Sequence, residues 1–302
     1  MTAFIFDEIY LKHKPLFYHP ENPTRLISIL NELDKNEKLK EKILFLKPEK
    51  ATLEHLKLAH DEKYIDYVFK FSGTYLDSDT YFCEYTLECS LYAVGGVIKA
   101  VNEIHRGKIR NAFCAIRPPG HHATINKAMG FCIFNNVAIG VKYAQTLGFK
   151  KIFIIDFDAH HGNGTQDIFY YDDTVFYFST HQYPFYPGTG SKSEIGEGKG
   201  KGFTYNVPLP AGTDDSSFIK IYKNILTDLI RNFFPNLIFV SAGYDLIKDD
   251  PLANLNVSLN GIREIVKSIQ QFDIPTIFCL EGGYNLENLA KSVCITLEEM
   301  IK

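Results

Sequence analysis

Short runs of consecutive apolar residues alternate with amphipathic stretches along the whole chain. The apolar runs predict strands at Ala3–Phe6, Ala112–Ile116, Ile152–Ile155, Val175–Phe178, Leu237–Val240 and Thr276–Leu280. Continuous runs of this kind, rather than in-out alternation, suit strands buried on both faces of a parallel sheet. Helical spacing of apolar positions is found between them, at Leu87–His105, Asn136–Leu147, Ser216–Arg231 and Gly261–Phe272, and LENLAKSVCITLEEMIK reads as a closing helix. There is no internal repeat and no Pro/Ser-rich linker. The pattern predicts an α/β fold, a mainly parallel sheet flanked by helices, as a single domain over residues 1–302.

The segments just after the apolar runs turn the picture from fold to chemistry. RPPGHH comes after the second run, DFDAHHGNG after the third, STHQYPFYPGTG after the fourth, SAGYD after the fifth and EGGYN after the sixth. In open α/β sheets ligands bind outside the carboxyl ends of the strands. Five strand ends therefore bring His, Asp, Tyr and Gly to one rim.

In DFDAH the alternation of an extended chain puts Asp156, Asp158 and His160 on one side. A carboxylate and an imidazole so placed can share a metal ion, and Asp245 can add a third ligand from a neighbouring strand end. Two carboxylates and one imidazole leave a fourth position for water, as in a catalytic zinc site. A two-metal hydrolase would need a second carboxylate cluster. SAGYDLIKDD offers only Asp245 near its strand, with Asp249 and Asp250 further along, so one metal is expected.

His121 and His122 come after a Pro-Pro-Gly turn, and in a tight loop both can face one cavity. Hydrolysis needs one group to take a proton from water and another to protonate the leaving group. Asp156, free of zinc duty, can charge-stabilise one of these histidines, and Asn163 can orient the other. An amide cannot stabilise an imidazolium as a carboxylate does, so the two should differ in pKa. In EGGYN the glycines allow close backbone approach, and Tyr284 can donate a hydrogen bond to an oxyanion.

Composition narrows the class. A net charge of -4 lacks the basic balance of an electrostatic nucleic-acid binder. No apolar run approaches the ~18 residues of a membrane span, and the start MTAFIFDEIY has no signal-peptide core. Six cysteines form no C-x-x-C pair and mostly sit in apolar stretches, which leads to an expectation of reduced thiols and a cytoplasmic location. The Gly-rich GEGKGKG lacks the ending of a phosphate loop and reads as a mobile surface connection.

Taken together, RPPGHHA, GFCIFNN, IDFDAHHGNGTQ, YPGTG, NVPLP, SAGYD, DDPL and LEGGYN, with HPENPTR near the start, resemble the histone deacetylase superfamily, including its bacterial acetylpolyamine and acetoin-utilisation members. HHGNG and LEGGYN look like the class II pattern. The resemblance implies an arginase/deacetylase-like fold, zinc on Asp158, His160 and Asp245, tandem histidines His121 and His122 partnered by Asp156 and Asn163, and Tyr284 as the carbonyl-polarising residue. It also implies a structural potassium ion held by Asp156, Asp158, His160, Ser179 and the backbone of Thr180. Phe131 and Tyr186 match the walls of an acyl-lysine channel, and Gly130 the carbonyl that receives the substrate amide. Leu252 matches a rim position where polyamine-selective relatives carry Glu, and Arg25 a site below the metal. The family's rim aspartate falls on Asp79 or Asp77. The expected activity is zinc-dependent removal of acetyl groups from N-acetyl-lysine of peptides or proteins, with acetylated polyamines or other small amines as the alternative substrates.

Overall fold

The computed structural model describes residues 1–302 and is built on one eight-stranded, wholly parallel sheet. The strands are β1 (Thr2–Ile5), β2 (Ile43–Leu46), β3 (Asn111–Cys114), β4 (Ile152–Asp156), β5 (Val175–Gln182), β6 (Thr204–Leu209), β7 (Leu237–Ala242) and β8 (Thr276–Leu280), in the order β2-β1-β3-β8-β7-β4-β5-β6. Every residue of β3, β4, β5, β7 and β8 is buried, because helices cover both faces and leave no side open to solvent. The Thr86–His105 helix packs on Asn136–Thr146, and the Leu286–Met300 helix on Thr24–Asp34 and Leu259–Gln270.

The strand order explains the location of the site. β4 and β7 are neighbours, but the chain runs from β4 outward to β5 and from β7 in the opposite direction to β8. Loops after β3, β4, β7 and β8 consequently meet above the central strands, at a topological switch point. Register sharpens this: Asp156 pairs with Ser179 on one side and Ser241 on the other, so the polar ends of β4, β5 and β7 lie level.

Two strands and several helices depart from the sequence reading. β2 is a four-residue edge strand with Leu44 and Phe45 exposed, set among charges that masked it. β6 contains Pro208, which removes a backbone donor and is tolerated because β6 is the other edge. The Ser216–Arg231 prediction resolves into Asp215–Lys220, a π-helical Ile221–Leu226 and Thr227–Phe233. GEGKGKG connects β5 and β6. It lies at the surface as read, with Glu197, Gly198, Lys199, Lys201 and Gly202 exposed, and includes a short turn in which Glu197 N–H donates to the Tyr170 carbonyl and Gly200 is buried.

Candidate active site

β4 ends at Asp156, and the chain then bends through Asp158–His160, with Asp158 N–H donating to Asp156 Oδ1 at 3.2 Å and His160 N–H to Asp158 Oδ1 at 2.8 Å, which brings Asp158 and His160 to the rim. Asp245 arrives from the loop after β7. Ligand atoms of Asp158, His160 and Asp245 all lie within 4.8 Å of one another, and this is the one such cluster in the chain. His160 Nδ1 is 2.8 Å from Asp245 Oδ2 and 3.1 Å from Asp158 Oδ1. Backbone N–H groups fix the carboxylates from behind: Gly282 donates to Asp158 Oδ2 at 2.8 Å and Ala159 to Asp245 Oδ1 at 2.7 Å. A Cβ at Gly282 would stand 2.5 Å from Asp245 and 2.6 Å from Asp158, so only glycine admits this pair. Two carboxylates and one imidazole, converging and braced, fit a zinc ion. Asp250, downstream in the same loop, is committed elsewhere. Its Oδ2 accepts the N–H groups of Tyr284 and Asn285 and its Oδ1 that of Leu252, so it ties two sides of the site together.

The tandem histidines are buried side by side, rings 4.1 Å apart. His121 Nδ1 lies 3.1 Å from Asp156 Oδ2, and His122 Nδ1 2.8 Å from the Asn163 amide oxygen. The electrostatics separate them as expected. Burial opposes charge on His121, but Asp156, Asp158 and Glu281 outweigh it and push its pKa up to about 10. Burial, then the charges of His121 and His160, hold His122 well below the usual imidazole range.

Above these groups is a cavity of about 210 Å³ lined by Gly130, Phe131, Phe185, Tyr186, Leu252 and Tyr284 among others. Phe131 adopts a left-handed backbone (φ 70°), a sparsely populated state for a bulky residue, and its N–H is held by Thr80 Oγ1 at 3.1 Å. A Cβ at Gly130 would come within 2.4 Å of the His122 ring, which requires glycine there. Tyr186 meets His122 edge-on at 5.2 Å. Arg25 is buried beside the Tyr284 ring, guanidinium 4.9 Å from its centroid, and donates to the carbonyls of Gly283 and Glu281. Burial raises the Tyr284 pKa, so the phenol remains protonated as a donor must. Ser179 and Thr180 lie buried beside Asp156, with the Ser179 hydroxyl 2.8 Å from His181 Nδ1.

Three contributors were not legible as such. Asp79, not Asp77, lines the cavity; Asp77 Oδ1 instead accepts the N–H groups of Asp79 and Thr80. Phe185 stacks on His160 at 5.2 Å, beside the Tyr186 that the motif pointed to. Glu21 forms a buried ion pair with Arg117, joining the HPENPTR segment to RPPGHH. Burial disfavours its charge, but Arg117 more than compensates and holds the carboxyl well below its usual range.

A sequence model of the histone deacetylase domain matches residues 19–300. The chain belongs to the histone deacetylase family. A probable deacetylase of Archaeoglobus fulgidus is 40% identical over 295 residues, covering 95% of this chain and 82% of that protein. The chloroplastic histone deacetylase 14 of Arabidopsis thaliana is 40% identical, over 94% of this chain and 73% of its own length. The crystal structure of the HDA15 HD domain superposes with a TM-score of 0.96 at 34% identity, covering 99% of this chain and 88% of that one. Membership in this family makes the chain a hydrolase of the deacetylase type.

Proposed function

We propose that the protein removes acetyl groups from N-acetyl-lysine side chains of peptides or proteins, releasing acetate, with one zinc ion held by Asp158, His160 and Asp245. The observation that carries the reading is the meeting, in one narrow cavity, of the three-donor cluster, two histidines of opposite charge preference and the Tyr284 phenol. Zinc bound there would supply Lewis-acid polarisation of the acyl carbonyl.

The remaining work falls to the chain. Phe131 and Tyr186 flank the alkyl stem and exclude water, and the Gly130 carbonyl accepts the substrate amide N–H. Tyr284 donates to the carbonyl oxygen as negative charge develops on it. With its Nδ1 directed at Asn163, His122 presents Nε2 as the base that takes a proton from the attacking water. The same proton then goes to the departing lysine amine. His121, held as imidazolium by Asp156, keeps positive charge beside the developing oxyanion. A structural potassium ion belongs to the same reading, on Asp156, Asp158, His160, Ser179 and the Thr180 backbone. Asp156 and Ser179 fit this role as buried cross-strand partners.

The small-amine reading has one observation in its favour, the Asp79 carboxylate in the cavity lining. In the peptide reading Asp79 accepts substrate backbone N–H groups. Steady-state kinetics on acetyl-lysine peptides, acetylspermidine and longer acyl-lysines decide between them. Peptides should give the highest kcat/KM; a higher value for acetylspermidine would establish the small-amine reading instead.

A further inference from the structure

Glu281, the first residue after β8, is 1% exposed, and the proposed proton transfers do not pass through it. Its Oε2 accepts two backbone N–H groups, from Gly120 at 2.7 Å and His121 at 3.2 Å, and its Oε1 accepts the Ser241 hydroxyl at 3.1 Å. One side chain thus spans the end of β7 and the loop after β3, with its backbone carbonyl bound to Arg25 beneath Tyr284. Buried backbone donors need partners, and these two have no other.

We propose that Glu281 is a positioning residue for the deacetylase reaction, a carboxyl clamp that sets the backbone from which His121 and His122 project. The clamp depends on acceptor capacity at Oε2, which the carboxyl retains whether or not it carries a proton. Its consequence for rate comes through geometry: a displacement of about 1 Å in a proton-transfer group can cost on the order of 10²-fold. The rate consequence rests on the proton-transfer role proposed for the tandem histidines; the clamp itself does not.

The test compares the zinc-loaded wild type with Glu281→Met, which keeps length and loses both acceptors, and Glu281→Gln, whose amide oxygen can replace Oε2. Hydrogen–deuterium exchange reads the Gly120 and His121 amides, acetate release gives kcat and KM, and elemental analysis gives zinc content. For Glu281→Met faster exchange at both amides is expected, with kcat lowered on the order of 10²-fold, KM within about threefold and zinc content unchanged. Glu281→Gln should restore protection and bring kcat close to wild type. In each variant that folds, kcat should follow the protection of these two amides. A variant in which one changes without the other overturns the proposal, as does a fall in kcat that merely parallels lost zinc. Should Glu281→Met fail to fold, Glu281→Gln is judged by the same rule. An inactive wild type would contradict the proposed function while leaving the exchange result to judge the clamp.

Discussion

His121 Nδ1 lies 3.1 Å from Asp156 Oδ2, and both residues are buried. The adjacent His122 has, at its Nδ1, the neutral Asn163 amide oxygen as its partner. Two identical side chains, one residue apart, are thereby driven to opposite protonation states. In the proposed reaction the uncharged one moves the proton. His122→Ala should lower kcat on the order of 10²–10⁴, the usual contribution of a general acid–base, and His121→Ala should lower it less. Steady-state kinetics on an acetyl-lysine peptide check this; a larger loss for His121→Ala would reverse the roles.

Tyr284 is placed by Asp250, which accepts its N–H at 2.7 Å, and by Arg25 beside its ring. Tyr284→Phe should keep zinc content and melting temperature while kcat falls on the order of 10²–10³, the effect of losing one oxyanion donor. Activity within a few-fold of wild type would assign the tyrosine a packing role.

Leu252 lines the cavity with Phe131 and Phe185, and the peptide reading proposed above gives it a part in substrate choice. An unpaired ammonium there is costly to desolvate, so Leu252→Glu should raise kcat/KM for acetylspermidine relative to an acetyl-lysine peptide. An unchanged ratio of the two would mean that Leu252 does not set selectivity.

Stability should fall on acidification for a reason away from the site. His60 Nε2 accepts the Asn135 N–H at 2.9 Å, and burial lowers the His60 pKa to about 4. Its folded pKa is below the unfolded value of about 6.5, so the unfolded chain binds the extra proton. Stability from this group is complete above about pH 6.5 and declines toward pH 4, by up to about 1.4 kcal/mol per pH unit. Chemical denaturation at several pH values should show this slope, and His60→Gln, which retains an acceptor, should reduce it. An equal slope in the variant would locate the acid sensitivity elsewhere.

The central strands were legible because burial on both faces makes them unbroken apolar runs, as in β8, found at Thr276–Leu280 where the pattern predicted it. The edges carry no such signal: β2 is short and set among charges, and β6 includes a proline. Asp156, Asp158 and His160 were grouped on strand alternation, yet β4 ends at Asp156 and a bend over Asp158–His160, held by Asp158 N–H on Asp156 Oδ1 and His160 N–H on Asp158 Oδ1, is what carries the last two to the rim. Asp79 and Asp77 could not be told apart, since they lie in an irregular loop where spacing fixes no direction. Glu281 was less accessible still. Its partner Gly120 is 161 residues away, and no local pattern announces a bond of that range.

Single-zinc deacetylation is tested most directly by a zinc titration of metal-stripped protein, with acetate release from an acetyl-lysine peptide as the readout. Activity should rise linearly and level off at about one zinc per chain, as a single three-ligand site requires, and Asp245→Ala should abolish the rise. Full activity without added metal, or a plateau at two ions per chain, would contradict it.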